Sequence, residues 1–326
     1  MTRKLNWGLL STARINRALI KPLNASPRTC LLAVASRSQS SADAYAREWK
    51  IPRAYGSYEA LLADPEIDVI YNSLPNHLHA EWTIRALRAG KHVLCEKPLA
   101  LTLAEMDAMI ATSKETGKRL MEAFMYRHHP QSLKVKEMVD GGILGKLQFI
   151  RGSFTYNLER EGDIRLKKET GGGSLWDVGC YSISYARYVI GTEPIEVFGW
   201  QVTGAGGADD SFVGQMRFPN DIHMQFDSGF KSASRSHIEI VGTHGTLNIP
   251  NPFKPNRKDM VELQRGDKIE VIKIKGQELY LGEVDDMCDA ILLGKAPRVS
   301  LADSRANVSA LLALLESARL GKPIAV

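Results

Sequence analysis

Cysteine is scarce: four residues in 326, Cys30, Cys95, Cys180 and Cys288, lie far apart and form no CxxC. That spacing supports neither a disulfide framework nor a thiolate metal site, and reads as buried reduced thiols in a cytoplasmic protein. No apolar run approaches the roughly 18 residues of a membrane span, and a first strand beginning by residue 5 leaves no room for a signal peptide. The formal net charge of +5 has no basic tract behind it. This argues against nucleic acid or a membrane as partner and favours small anionic ligands. Internal repeats and low-complexity linkers are also absent.

What is present describes a globular protein, with 44% hydrophobic and 24% charged residues. The length exceeds one ordinary domain, so two domains with a core each are expected. Strand-like stretches start at residues 5, 30, 67, 92 and 119 with helical segments between them. Such a βα repeat predicts a parallel, doubly wound sheet, assigned to residues 1–125.

Two local absences fall inside this domain. A G-x-G-x-x-G turn after the first strand would place glycines at 8, 10 and 13, and the chain has Gly8, Leu10 and Ala13. Small residues at Ser11 and Ala13 still let the backbone approach a pyrophosphate, whose charge the N-terminus of a helix over 14–24 would meet. The second strand, 30–36, lacks the acidic residue that usually binds a ribose 2′-hydroxyl and ends in Ser36-Arg37-Ser38. A guanidinium flanked by hydroxyls suits a 2′-phosphate, so NADP is expected over NAD. His77 and His79 stand two apart after the third strand, on different helix faces. With no cysteine or carboxylate partner nearby they read as cap and loop residues, and no metal is expected.

The stretch 91–99, KHVLCEKPL, reads as a short buried strand ending in Glu96-Lys97-Pro98. Proline cannot donate a ladder hydrogen bond and biases Lys97 toward an extended backbone, which pushes the lysine out at the carboxyl edge of the sheet. Ligands bind at that edge in open α/β sheets. An ammonium there can hydrogen-bond an oxygen undergoing redox chemistry, although three residues alone do not separate this from a solvated loop pair.

Beyond a helix over 130–140, strands are expected at 145–156, 195–203, 211–218, 222–229, 236–242, 245–249 and 261–274. Short turns such as Pro219-Asn220-Asp221 make that second sheet mainly antiparallel. After Gly171-Gly172-Gly173 comes a helix, SLWDVGCYSISYARYVIG, with Asp177 and Tyr181 four apart on one face. A phenol can pass a proton to or from a substrate oxygen, and a nearby ammonium makes that easier. Helices are expected over 278–293 and 301–320, and the whole of 126–326 is assigned to the second domain.

With Gly8, Ser36-Arg37-Ser38, Glu96-Lys97-Pro98 and GGGSLWDVGCY together, the chain resembles the glucose-fructose oxidoreductase and inositol dehydrogenase family (Gfo/Idh/MocA). It looks closest to the branch with dihydrodiol dehydrogenases, NADP-dependent xylose dehydrogenases and glucose-fructose oxidoreductase. The resemblance implies a Rossmann domain, then a substrate-binding α+β domain with a large open mixed sheet through which subunits associate as a homodimer or homotetramer. Lys97 and Tyr181 match the catalytic pair, with Asp177 beside them. Gly8, Ser11, Thr12, Ala13, Arg14 and Ile15 would cradle the pyrophosphate, and Ser36, Arg37 and Ser38 would take the 2′-phosphate. Ser73, Leu74, Pro75, Asn76, His79 and Glu96 would border the ribose groups, while Arg165 and Tyr280 match positions that touch cofactor or substrate in some relatives. The expected activity is NADP-dependent hydride transfer to or from a sugar or polyol. The alternatives are an enzyme that recycles a tightly held NADP, and a dinucleotide-binding regulator without turnover.

Overall fold

The computed structural model describes residues 3–160 and 162–326. These divide into two compact units, 1–128 with 280–305, and 129–279 with 306–326.

The first unit is built on six parallel strands: β1 (Leu5–Leu9), β2 (Thr29–Ala35), β3 (Arg53–Tyr55), β4 (Val69–Asn72), β5 (His92–Glu96) and β6 (Leu120–Ala123). Their order, β3-β2-β1-β4-β5-β6, reverses direction of travel between β1 and β4. Residues of β4 and β6 are buried throughout, as strands covered on both faces must be. On one face the core is filled from α1 (Asn16–Ala25) and α2 (Gln39–Trp49) by Leu19, Leu23 and Tyr45. On the other, α3 (Tyr58–Ala63), α4 (His79–Arg88) and α5 (Leu103–Thr116) supply Leu61, Trp82, Met106 and Met109.

The second unit carries α6 (Pro130–Asp140), β7 (Leu147–Asn157), α7 (Cys180–Ile190), β8 (Glu196–Thr203), β9 (Asp209–Arg217) and β10 (His223–Gly229). Then follow β11 (Lys231–Gly242), β12 (Gly245–Pro250), β13 (Lys258–Arg265), β14 (Lys268–Lys275) and, at the end of the chain, β15 (Ile324–Ala325). These nine strands form one sheet in which β7 and β10 are the parallel pair and the other pairings are antiparallel. Along β9 and β10, Phe212, Met216, Met224 and Phe226 are buried while Val213, Gln215, His223 and Gln225 are exposed. This period-two alternation covers one face and leaves the other open.

Three expectations change. The strand predicted over 261–274 is the hairpin β13–β14, turned at Gly266, where φ is +55°. The short β3 and α3 were not predicted. The helix expected over 278–293 is α8 (Leu281–Leu292), and it belongs to the first unit, not to a continuous 126–326 domain. The reason is its buried stripe: Val284, Met287 and Cys288 complete the core on the α1 face, and Arg28 pairs with Asp285 and Asp289 beside them. The last helix, α9 (Leu301–Leu320), runs across the 305/306 division.

Candidate functional site

Parallel strands deliver their following loops to one edge of the sheet, so the segments after β1, β2, β4, β5 and β6 gather at the carboxyl edge of the first unit. Hydrogen bonds lace them together. The Ser11 and Ser73 hydroxyls meet at 2.8 Å, joining the β1 and β4 loops. His79, fully buried, lies with Nε2 2.7 Å from the Leu74 carbonyl and Nδ1 2.8 Å from that of Pro98, joining the β4 and β5 loops. The Leu99 amide then donates to Glu122 Oε1 at the end of β6 (3.0 Å). Lys97, the first residue beyond β5 and partly exposed, sits in a segment anchored on its C-terminal side by His79 and Glu122. Burial lowers the pKa of His79, against the raising effect of its two carbonyl neighbours.

Glu96, the last residue of β5, accepts a hydrogen bond from the Tyr71 hydroxyl. Burial, with Glu96, Glu283 and Tyr280 nearby, pushes that phenol's pKa well up, so Tyr71 is a permanent donor. Tyr280, the cap residue of α8, is thereby placed in the first unit near the Tyr71 phenol. Ser36 is nearly buried at the end of β2, Arg37 is exposed, and Ser38 caps α2 by accepting from the Ser41 amide. Thr12, Ala13, Arg14 and Ile15 are partly or fully exposed ahead of α1, Pro75 and Asn76 are partly exposed, and Leu74 is buried. Gly8 has a different surrounding from the one its motif suggests: a Cβ there would stand 3.0 Å from Leu61 and 3.3 Å from Ile70, both core side chains.

The second unit holds Asp177, Tyr181 and Arg165. The triple glycine allows close packing: a Cβ on Gly172 would lie 2.4 Å from the Arg165 carbonyl oxygen, and one on Gly173 2.2 Å from Asp209. Gly173 also has φ of +126°. The predicted α-helix starts as a π-helical turn, Leu175–Gly179, before α7 takes over. Gly179 lets this wide turn lie on β10, since a Cβ would come 3.1 Å from the Ser228 hydroxyl. Turns of this kind cluster at functional sites.

Asp177 Oδ2 accepts from the Tyr156 hydroxyl (2.8 Å) and lies 3.3 Å from Arg165 Nε, while Arg165 also binds Asp163. Burial and then Asp177 push the Tyr156 phenol up, so it too stays a donor. Burial works to lower Arg165, but Asp177, Tyr156 and Asp163 outweigh it and keep the guanidinium charged. Tyr181, 5% exposed, stands edge-on to Phe154 at 5.5 Å and tilted against Phe253 at 5.6 Å. Phe154 and Phe253 stack on each other at 5.0 Å, fixing the ring's orientation.

Sequence reasoning missed Tyr156, Asp163 and Asp209. Asp209 accepts from the Ser174 hydroxyl (2.6 Å) and the Leu175 amide (2.9 Å), capping the π-helical turn. Burial raises its pKa to about 6, against those hydrogen bonds. In the unfolded chain the carboxyl titrates near its ordinary value of about 4. Between these values the folded state binds a proton that the unfolded state does not, so stability falls as pH rises through the window, by about 3 kcal/mol. Asp209→Asn keeps the acceptor and removes the titration. Urea unfolding of both proteins between pH 4 and pH 7 should show the wild type losing stability relative to the variant, and parallel curves would refute the assignment.

The donor set suits a phosphorylated dinucleotide. The first turns of α1 and α2 contain no acidic residue, and Ser36 and the exposed Arg37 close β2 where a carboxylate would repel a phosphate. Among the described residues no helix is long and apolar enough to cross a membrane, and no cluster of three or more metal-binding side chains occurs.

Comparison with known proteins agrees with this layout. Residues 5–124 match the family model described as oxidoreductase family, NAD-binding Rossmann fold, and residues 132–248 match the GFO/IDH/MocA C-terminal domain. The chain is similar to D-xylose 1-dehydrogenase (NADP(+)) 2 of Haloferax volcanii, 35% identical over 98% of each chain. Among solved structures it is similar to aldose-aldose oxidoreductase from Caulobacter crescentus complexed with glycerol (TM-score 0.92, 28% identity, 99% and 100% of the two chains). It is also similar to a 3-ketoreductase from Actinomadura kijaniata in complex with NADP and TDP-benzene (TM-score 0.92, 31% identity, 97% and 98%). That reductase has been solved with a tyrosine or a lysine replaced, and the two positions are as far apart in its chain as Lys97 and Tyr181 are here. With both domains matched in order and the Rossmann strand order in place, the chain belongs to the GFO/IDH/MocA oxidoreductase family, whose N-terminal domain is an NAD(P)-binding Rossmann fold.

Proposed function

We propose that this oxidoreductase is NADP-dependent and transfers a hydride between nicotinamide and a carbinol or carbonyl carbon of a sugar or polyol, as aldose and dihydrodiol dehydrogenases do. The observation that carries the reading is the place of Lys97, directly beyond β5 on the carboxyl edge of a sheet whose order reverses between β1 and β4.

Bound nicotinamide supplies the hydride donor or acceptor. Lys97 hydrogen-bonds the substrate oxygen through its ammonium, Tyr181 gives or takes the proton at that oxygen, and Asp177 accepts from a neighbouring hydroxyl. The matching separation of the lysine and tyrosine studied in the Actinomadura reductase supports the pair. The two donors on Asp177 Oδ2 support a carboxylate fixed in direction. Thr12 to Ile15 face the pyrophosphate, with Leu74 to Asn76, Glu96 and Tyr280 bordering the ribose and nicotinamide.

For NADP the support is Ser36-Arg37-Ser38 and the NADP in the names of two relatives. Arg37→Ala should raise the KM for NADP by about 10- to 100-fold, because a charged hydrogen-bond pair to a phosphate is lost, and leave that for NAD within about threefold. Equal changes for both cofactors would place recognition of the 2′-phosphate elsewhere.

A spectrophotometric screen of aldoses, inositols and diols with NADP tests the activity. Dinucleotide binding without turnover of any of them would replace this reading by that of a regulator. The likeness to an aldose-aldose oxidoreductase favours one second reading, a nicotinamide retained and recycled between two sugars. An absorbance band of bound nicotinamide that survives dialysis would mark it.

The open face of the second sheet exposes Trp200, Val202, Val213, Ile269 and Val271, which supports association of two copies through it. A monomer mass in light scattering would refute that. A reducing, cytoplasmic location accords with the four free cysteines.

A further inference from the structure

The dinucleotide turn of this chain lacks two of its three glycines, yet nothing in it is strained. No described residue from Leu9 to Trp49 has a positive φ, and Leu10 is buried in the core on the α3 face, not turned toward the loop. Something other than glycine therefore shapes the segment from Leu10 to Asn16.

Three buried polar side chains do so. Asn16, the first residue of α1, is fully buried, and Ser11 and Ser73 are almost so. Asn16 Nδ2 donates to the Ser11 carbonyl (2.7 Å), and the Ser73 hydroxyl donates to Asn16 Oδ1 (2.7 Å). Since Ser73 has spent its proton there, the 2.8 Å contact between the two hydroxyls requires Ser11 to donate to Ser73. Ser11 Oγ is then free to accept, and the Ala13 amide donates to it at 3.1 Å. The direction of every bond is thus fixed, and the ring closes from Ser11 through Ser73 and Asn16 back to Ser11. A buried network with all its members satisfied is rigid, while a partly satisfied one is costly.

We propose that Asn16 is a positioning residue for the dinucleotide pyrophosphate: the Ser11-Ser73-Asn16 ring holds the β1 loop in its binding shape in place of the missing glycines. The ring lies under the loop, and Thr12, Ala13 and Arg14 above it are exposed or partly exposed. Ser11 and Ser73 then serve the cofactor by holding the loop. This rests on the dinucleotide reading above.

The test is a fluorescence titration with NADPH, and calorimetry with 2′-AMP, which carries the adenosine and 2′-phosphate but no pyrophosphate. Asn16→Ala and Ser73→Ala should each raise the NADPH Kd by about 10-fold or more, because a flexible loop must be ordered on binding. The double variant should lose little beyond the worse single, since either change opens the same ring. Binding of 2′-AMP should stay within twofold of wild type, which general destabilisation would not spare. An unchanged NADPH Kd, multiplicative losses in the double variant, or an equal loss for 2′-AMP would each overturn the proposal. Should Asn16→Ala not fold, Ser73→Ala decides alone by its NADPH and 2′-AMP constants. If the wild type bound neither NADPH nor NADH, the dinucleotide reading itself would fall, and this inference with it.

Discussion

Lys97→Ala is expected to lower kcat by about three orders of magnitude while the dinucleotide Kd moves by no more than about threefold. The reasoning starts from the backbone. The Pro98 carbonyl is held by His79 and the Leu99 amide by Glu122, so the segment keeps its path when the side chain is cut back. What disappears is the ammonium. A preorganised donor aimed at an oxygen where charge develops contributes on the order of 10²–10³ in rate, and proton transfer supported by it adds more. Because the interaction strengthens only as the oxygen gains charge, the loss falls on kcat and not on cofactor binding. Lys97→Arg should not restore the rate, since a planar guanidinium neither fits nor shares the proton chemistry of an amine. Stopped-flow and steady-state kinetics with any substrate found in the screen decide the matter. A rate within tenfold of wild type, or a loss confined to KM, would remove Lys97 from the reaction.

Most of the fold was legible because its signals are local. Parallel strands buried on both faces read as apolar runs, and β4 and β5 showed plainly as such. The three-residue β3 and six-residue α3 were too short to give a period. The run over 261–274 was read as one strand from its apolar content, although Val261 and Leu263 fall on odd positions and Ile272 and Ile274 on even ones; that change of parity across Gly266-Asp267 is the mark of the reversal. For α8 the helix was visible but its destination was not. An apolar stripe states that a face is buried without stating against which sheet, and Val284, Met287 and Cys288 find theirs across more than 200 positions.

The same division runs through the candidate site. Lys97, Asp177 and Tyr181 are candidates from the sequence because each lies in a short run of unusual composition. The residues that hold them could not, since Tyr156 reaches Asp177 across 21 positions and Asp209 reaches Ser174 across 35. Gly8 carries a second constraint that its motif does not show: its missing Cβ makes room for Leu61 and Ile70. Asn16 had no motif at all, although a polar residue amid the apolar positions of α1 was a signal that something was satisfied there.

Tyr181→Phe is expected to lower kcat by about 10²- to 10³-fold with the thermal unfolding midpoint unchanged to within about 2 °C. The ring is fixed by its packing on Phe154 and Phe253, and phenylalanine preserves that packing atom for atom apart from the hydroxyl. On the proposed role of Tyr181 the loss is chemical, the absence of the group that gives or takes the proton. If Lys97 and Tyr181 serve the same oxygen, removing both should cost little more than removing the worse one, because either deletion already disables the pair. Losses that multiply in Lys97→Ala/Tyr181→Phe would mean two independent roles. A fully active Tyr181→Phe would leave Lys97 as the acid or base by itself.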